Sequence, residues 1–397
     1  MSSGVEPAVQ RIATRFETLR ESDYALPDDF ARRVLSPALV VHLDKVRDNL
    51  RRVIDYAGAD ADRWRPHVKT TKIPQVFAEM ARMGVRNFKC STTREAALLA
   101  DALRQAGLED GDSLLAYPLV GPALVRLGRI AEEHPETRLS VLCEEPARVT
   151  EIAPQLSVFV DINPGMNRTG IPMAETEEIL AVARAAGERF RGVHFYDGHL
   201  WDVARADRGQ AAFEGYDRLL ELVSALESAG HSVPEIITSG TPTFLQALAF
   251  ERFAELGETR HRVSPGTVVY HDLNSEQGNP DLVLTPAATV FTRVVSHPSA
   301  ALVTCDAGVK SIAADSGDPC AFVIGRPQLV AQPPSEEHLP LHVTSGERPT
   351  RGTPLHLVPT HVCPTVNLAE QAVLMDAGVV QDVVRVSARA HELLLDE

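Results

Sequence analysis

Short apolar runs alternate with amphipathic stretches along most of this chain, and this alternation limits the folds that it can adopt. Each run has the length of a β-strand, and most are followed by apolar residues at helical spacing. The runs lie at residues 38–43, 66–69, 87–90, 114–117, 139–142, 158–161, 192–196, 235–238 and 267–270. Eight or nine such units over roughly 240 residues predict a (β/α)8 TIM barrel. A doubly wound open sheet is the competing fold, but the glycine-rich dinucleotide turn that usually accompanies it is absent from the sequence.

The pattern changes after about residue 280. Apolar runs at residues 283–290 and 301–306 follow one another without a helix between them, and prolines cluster between residues 327 and 359. These features are typical of a mostly β second domain. The sequence therefore predicts an N-terminal helix and lead-in at residues 1–35, a barrel at residues 36–280 and a β-rich domain at residues 281–397. Within the first part, residues 6–24 are expected to form an amphipathic helix.

Composition argues against several classes of partner. The formal net charge of −15 disfavours nucleic acid and anionic membranes. The first residues show neither a basic nor an apolar signal region, and no later run approaches the length of a membrane span. The five cysteines are scattered and odd in number, unlike a disulfide framework. A reducing cytoplasm is the expected location.

A lysine stands at the end of the second predicted strand. His67 and Lys69 follow Pro66, and a helical pattern begins at Pro74. A lysine at the carboxyl end of a barrel strand points into the mouth, where catalytic groups collect. There it can lose its proton and form a Schiff base with an aldehyde cofactor. Lys72 is the rival lysine, but its place at the start of the helix favours a solvated or phosphate-side charge.

Three loops follow later strands. The first presents Arg168 between Gly165 and Gly170, and a fixed guanidinium suits a phenolate or a carboxylate. The other two, at residues 238–243 and 264–267, are rich in hydroxyls and glycine. Such loops offer N–H groups and hydroxyls to an anion, as the late loops of barrels often do for phosphate.

Two further segments carry groups for chemistry. Tyr196 and His199 end the strand at residues 192–196 and are candidates for acid–base work or for contact with a cofactor ring. A structural hydrogen bond is an equally good interpretation of each. His361 and Cys363 are two residues apart, so in an extended segment they face the same side and can bind one ion. Imidazole and thiolate suit zinc, and two ligands leave coordination positions open for a catalytic role.

The order of these segments resembles the alanine racemase-like (fold type III) pyridoxal phosphate enzymes, and within them the D-threonine aldolase and D-serine dehydratase branch. The resemblance runs from Ala38 to Asn367. It implies that Lys69 binds the cofactor covalently and that Arg168 contacts its phenolic oxygen. It also implies a cofactor-binding set of His67, Lys69, Arg168, Tyr196, Ser239, Gly240, Thr241, Gly266 and Thr267, catalytic roles for Lys69 and His199, and a metal on His361 and Cys363.

The resemblance implies a homodimeric lyase that uses pyridoxal 5′-phosphate and a divalent metal, Zn²⁺ or Mn²⁺, on β-hydroxy D-amino acids. D-threonine aldolase-type cleavage to glycine and an aldehyde is the first expectation, and D-serine dehydratase-type elimination to a keto acid and ammonia is the alternative. Cys363 is similar to the dehydratases, whereas residues 364–367 look more like the aldolases. An amino-acid racemase or a non-catalytic cofactor carrier is a further alternative. Ser264 counts against a racemase, because racemases have an arginine at that position, and Thr71 replaces a histidine that many members have.

Overall fold

The structure, a computed structural model, describes residues 15–395. Its strands are β1 (Ala38–His42), β2 (Asn87–Cys90), β3 (Gly111–Leu115), β4 (Thr137–Cys143), β5 (Ser157–Asn163), β6 (Ile171–Pro172), β7 (Phe190–Phe195), β8 (Glu235–Thr238), β9 (Arg260–Val263), β10 (Ala288–Ser299), β11 (Leu302–Cys305), β12 (Ala321–Val323), β13 (Leu329–Ala331), β14 (Leu339–Val343), β15 (Pro354–Pro359), β16 (Gln371–Asp376) and β17 (Val379–Arg385). Its α-helices are α1 (Asp28–Ala31), α2 (Leu43–Tyr56), α3 (Pro74–Arg82), α4 (Thr93–Gln105), α5 (Pro122–Glu133), α6 (Thr176–Ala186), α7 (Arg205–Ser228), α8 (Phe244–Ala249), α9 (Leu273–Gly278) and α10 (Val362–Leu368). Among these residues, no helix is long and apolar enough to cross a bilayer.

A parallel barrel forms the first part of the molecule, as the sequence predicts. Its sheet has the order β2-β3-β4-β5-β7-β8-β9, and β6 pairs with β5 at the rim. Residues 64–67 complete the ring, because Trp64 bridges to Val263 of β9 and His67 bridges to Lys89 of β2. The closed barrel therefore brings the carboxyl ends of all these segments to one face.

Two sequence assignments are wrong in detail. The run at residues 38–43 was expected to be the first barrel strand, but β1 pairs with β10 and β16 in the other sheet. The run at residues 267–270 was expected to be a strand, but a 3-10 turn occupies Thr267–Val269. A short apolar run indicates that a segment is buried, but it shows neither that the segment is extended nor which sheet it joins.

The helices pack around the barrel in the way that their sequences dictate. In α4, Thr92 caps the first turn by accepting a hydrogen bond from the Glu95 N–H at 3.0 Å. Ala96, Leu99 and Leu103 follow at spacings of three and four residues and are fully buried. This stripe joins the large apolar core between the helices and the barrel sheet.

A buried ionic cluster fills the barrel interior near the start of residues 64–67. Arg65 is fully buried and donates to Glu235 at 2.7 Å and to Asp112 at 2.8 Å. Desolvation opposes its charge, but the two carboxylates outweigh it and raise the pKa of Arg65. Since each buried charge has a partner, the cluster fixes residues 64–67 in the ring and so sets the position of Lys69.

The second sheet is mostly antiparallel and forms the β-rich part. Its order is β11-β14-β13-β12-β15-β10-β1-β16-β17, and an added β10–β11 pairing closes six of these strands into a small barrel. Val294, Val303 and Leu357 lie in its core. Strand β15 leads directly into α10, which carries the predicted metal ligands toward the mouth of the parallel barrel.

The predicted N-terminal helix at residues 6–24 does not form in the part that the structure describes. Residues 6–14 lie outside the described residues. Residues 15–24 form two 3-10 turns, Arg15–Thr18 and Glu21–Asp23, where an α-helix was expected. Phe16 and Tyr24 are buried there against Leu273 and Val358, so this segment contacts both parts of the molecule.

Candidate active site

One cavity of about 600 Å³ lies where the carboxyl ends of the barrel strands face the β-rich part. Most of the predicted site residues line it: His67, Lys69, Tyr196, Gly240, Thr241, Gly266, Thr267, His361 and Cys363. Arg168, His199 and Ser239 are not among its lining residues. Most of the residues predicted from the sequence therefore line one cavity, although they are up to about 300 positions apart in the chain.

Two neighbouring lysines have different surroundings. Lys69 is half-buried in the cavity wall, and its ammonium forms no ion pair within residues 15–395. Lys72 is buried and its Nζ donates to Glu95 at 2.8 Å, while Glu95 also accepts from the Ser91 N–H and hydroxyl. Lys72 is therefore held in an ion pair, and Lys69 is the lysine whose amine is available to an aldehyde.

The two hydroxyl-rich loops supply groups that fit a phosphate. Ser239 has a left-handed φ of 63°, and its fully buried hydroxyl lacks a partner among the described residues. A buried hydroxyl of this kind is costly unless a ligand satisfies it. Gly266 permits a close approach of the second loop, since a Cβ there would lie 2.4 Å from the carbonyl oxygen of His67. These observations fit an anionic cofactor held beside Lys69.

Arg168 packs against Tyr196, a residue of the cavity wall. The guanidinium of Arg168 lies 4.8 Å from the centre of the Tyr196 ring. Burial raises the pKa of Tyr196, although the charge of Arg168 opposes that shift. Arg168 itself is exposed, and its link to the cavity is its contact with the Tyr196 ring.

His199 lies beside the cavity and not in its wall. It sits in the 3-10 turn Gly198–Asp202, and a Cβ on Gly165 of the arginine loop would lie 3.5 Å from its Nε2. Its buried Nδ1 has no hydrogen-bond partner among the described residues. An imidazole with one unpaired nitrogen keeps the capacity to exchange a proton.

His361 and Cys363 meet at the cavity, although not on the extended segment that the sequence suggested. His361 is extended and caps α10, and Cys363 lies in the first turn of that helix. Burial would raise the pKa of the Cys363 thiol, but the neighbouring His361 imidazole outweighs burial and lowers that pKa. The Cys363 Sγ also lies 3.1 Å from the Thr70 Oγ1 and 3.5 Å from the Thr267 Oγ1.

An imidazole and a thiol on the wall of the same cavity match the donors that zinc prefers, so the pair fits a metal held by two side chains. Within residues 15–395, no group of three or more His, Cys, Asp or Glu side chains is placed to hold an ion. A closed structural site is therefore not formed by the described side chains alone.

Sequence reasoning missed a third lysine in the wall. Lys89 of β2 is buried, lines the cavity and has its Nζ 3.3 Å from the Nε2 of His194. His194 is in turn 2.7 Å from Asp161. The signal was available, because Asn87 and Lys89 alternate with Phe88 and Cys90 and polar side chains on one face of a barrel strand point inward.

Two family models match the chain. The model of the alanine racemase N-terminal domain matches residues 41–273, which is more than half of the chain. The chain belongs to this family. The model named Putative serine dehydratase domain matches residues 287–375, and so covers the part that carries His361 and Cys363. These matches confirm the family and the barrel-plus-β architecture expected from the sequence.

Members of known activity are similar over nearly the whole chain. A D-threonine aldolase from an Arthrobacter species is 28% identical, covering 92% of this chain and 95% of its own. A D-threo-3-hydroxyaspartate dehydratase from Delftia sp. strain HT23 is 26% identical, covering 83% and 91%. The crystal structure of D-threonine aldolase from Filomicrobium marinum superposes with a TM-score of 0.78 at 27% identity, covering 90% and 95%.

Proposed function

We propose that this protein is a pyridoxal phosphate-dependent, metal-dependent lyase that cleaves β-hydroxy D-amino acids in the manner of a D-threonine aldolase. Threonine and 3-hydroxyaspartate, in the names of the similar proteins, both carry a hydroxyl on Cβ. That shared group supports the substrate class.

The observation that carries the proposal is that Lys69 and the His361–Cys363 pair share one cavity. The Cys363 Sγ is 3.1 Å from the hydroxyl of Thr70, the residue next to Lys69. A lysine for a carbonyl cofactor and a soft donor pair are thus within reach of one small substrate. A racemase or a cofactor carrier has no use for the donor pair.

Each bound group has a set of residues to hold it. Lys69 would bind the cofactor covalently, Ser239, Gly240, Thr241, Gly266 and Thr267 would surround its phosphate, and His67, Tyr196 and Arg168 would flank its ring and phenolic oxygen. When bound, the cofactor supplies a sink for the electrons of the broken bond at Cα. Ser264 lines the cavity, and its hydroxyl donates to the carbonyl oxygen of Arg65 at 3.0 Å. As a neutral side chain, it offers no cationic partner to the ring nitrogen of the cofactor.

His361 and Cys363 would hold the metal at the β-hydroxyl end of the substrate. A divalent ion there supplies Lewis acidity that lowers the pKa of the hydroxyl. The two side chains leave coordination positions for substrate and water. Zn²⁺ or Mn²⁺ is the proposed ion.

The two lyase reactions differ in which proton of the substrate is removed. If His199 accepts the proton of the β-hydroxyl, the Cα–Cβ bond breaks and the products are glycine and an aldehyde. If Lys69 accepts the Cα proton, water leaves and hydrolysis of the product gives a keto acid and ammonia. The D-threonine aldolase relatives favour cleavage, while the dehydratase relative and the thiol at position 363 favour elimination as the second candidate.

Chelation tests the metal role. After chelation, turnover should vanish while the melting temperature and the visible absorbance of the cofactor–lysine bond stay nearly unchanged, because a catalytic ion is not needed for folding. Added Zn²⁺ or Mn²⁺ should restore turnover. Cys363→Ala should behave like the chelated enzyme, and Cys143→Ala, outside the cavity, should behave like the wild type. Full activity of metal-free Cys363→Ala would refute the metal role.

A further inference from the structure

Asp315 approaches the predicted metal ligand from a distant part of the chain. It lies on the loop at residues 306–320, between β11 and β12, and its Oδ2 is 2.6 Å from the Nδ1 of His361. The Ser316 hydroxyl lies 3.4 Å from the same nitrogen. No sequence motif connects Asp315 with His361, because they are 46 residues apart.

The contact fixes which ring nitrogen can bind an ion. An ionised carboxylate only accepts hydrogen bonds, so the Nδ1 of His361 must carry the hydrogen. The lone pair of a neutral ring is then on Nε2, which neither Asp315 nor Ser316 contacts. Because the two nitrogens point to different edges of the ring, the carboxylate that holds Nδ1 is not placed to ligate an ion on Nε2.

We propose that Asp315 is a positioning residue for the metal: it selects the tautomer of His361 and turns its Nε2 toward the ion shared with Cys363. This inference rests on the metal role proposed above. Carboxylates behind metal-bound histidines raise the basicity of the ligand, and their removal typically weakens metal binding by about 10–100-fold. The effect should therefore be seen in metal affinity itself.

A purely structural role predicts something else. The side chains of Asp315 and His361 are 50% and 34% exposed, and a pair in such surroundings contributes little to stability. The loop is also held elsewhere: the Ala313 N–H donates to Thr365 at 3.1 Å, and the Thr360 N–H donates to Cys320 at 2.8 Å. Replacing Asp315 should therefore leave the loop in place and the protein folded.

The test is the dissociation constant for Zn²⁺, measured by competition with a chromogenic chelator on the full-length, cofactor-loaded protein after metal removal. We expect Asp315→Ala to raise the constant by at least about tenfold. Asp315→Asn should have a smaller effect, because an amide oxygen still accepts from Nδ1. Asp318→Asn, at a carboxylate on the same exposed loop, is the matched control and should bind like the wild type. Cofactor absorbance and melting temperature should be equal in all variants.

Other results separate failure of this inference from failure of the proposed function. Equal Zn²⁺ affinity in wild type and Asp315→Ala would overturn the positioning role and leave the metal role standing. Loss of binding in Asp315→Ala as complete as in Cys363→Ala would also overturn it, because Asp315 would then be a direct ligand. A wild type that binds no Zn²⁺ or Mn²⁺ would overturn the metal role and this inference together.

Discussion

At the scale of the residue, the assignment of the cofactor lysine depends on what surrounds Lys69 and Lys72. Lys69→Ala should abolish the visible absorbance of the cofactor-loaded protein with little effect on stability, because its ammonium has no ion-pair partner in the described chain. Lys72→Ala should keep the absorbance but lower the free energy of unfolding by about 3 kcal/mol, because Glu95 loses its buried partner. Absorbance and urea unfolding report the two effects. The opposite pattern, with absorbance kept in Lys69→Ala and lost in Lys72→Ala, would reverse the assignment.

Lys89 should give the stability a particular pH dependence. Burial, followed by the charge of Lys69, lowers the pKa of Lys89 to about 7, whereas an unfolded chain keeps the ordinary value of 10.5. Between about pH 7 and 10 the unfolded state binds more protons at this position than the folded state does. The free energy of unfolding therefore falls as the pH falls toward 7. In cofactor-free Lys89→Met, the rise in unfolding free energy with pH should be smaller by up to about 1.4 kcal/mol per pH unit.

Urea unfolding at three pH values in that window measures the slope, with the exposed Lys310→Met as control. If the free energy of unfolding changes with pH equally in the wild type and in Lys89→Met, the predicted lowering of the Lys89 pKa by burial is wrong.

Single residues were predictable where local sequence carries the chemistry. Lys69 ends a strand-like segment, and His361 and Cys363 form a donor pair two residues apart, so both assignments follow from short segments and a family resemblance. Asp315 and the Lys89–His194–Asp161 chain depend on contacts between residues 33 to 105 positions apart. Such contacts exist only after the chain has folded. The alternation in β2 could have indicated Lys89 itself, but no local pattern identifies its partners or Asp315.

At the scale of the element, the packing of the second phosphate-side loop against residues 64–67 should be sensitive to one methyl group. In Gly266→Ala the new Cβ would lie 2.4 Å from the carbonyl oxygen of His67, so loop and strand must separate. We expect a loss of about 2 kcal/mol in stability and weaker retention of the cofactor. Dialysis followed by absorbance measures retention, and urea unfolding measures stability.

Gly209→Ala is the matched control. Gly209 lies inside α7, and a Cβ there would meet only Gln246 at an ordinary 3.9 Å, so this variant should be slightly more stable than the wild type. Wild-type stability and cofactor retention in Gly266→Ala would contradict the close approach described above.

The sequence predicted which segments form strands better than it predicted which sheet each strand joins. The alternation of strands and helices indicated a barrel, and the sheet of β2 to β9 with residues 64–67 confirms it. The strand at residues 38–43 was real but belongs to the other sheet, because its apolar side chains suit either environment. His361 and Cys363 lie at the start of α10 and not in a strand. The helix was not predicted, because it is only seven residues long and its sequence contains Pro364.

At the scale of the whole molecule, the open mouth of the cavity favours a homodimer. Trp201 lines the cavity and is also exposed on the protein surface. Apolar groups beside a water-sensitive site are expected to be covered by a partner. Sedimentation velocity should show a species of twice the 43.2 kDa chain mass. An active monomer at the assay concentration would contradict this prediction.

We expect the barrel and the β-rich part to form together a lyase for β-hydroxy D-amino acids. Proton NMR of D-threonine incubated with the metal-loaded, cofactor-loaded enzyme checks this activity, with the chelated enzyme and Lys69→Ala as controls. Glycine and acetaldehyde should form, or in the dehydratase alternative 2-oxobutanoate and ammonia, and neither pair of products should form in the two controls. Formation of L-allo-threonine without cleavage, at a rate unaffected by chelation, would show a racemase and refute the proposed lyase.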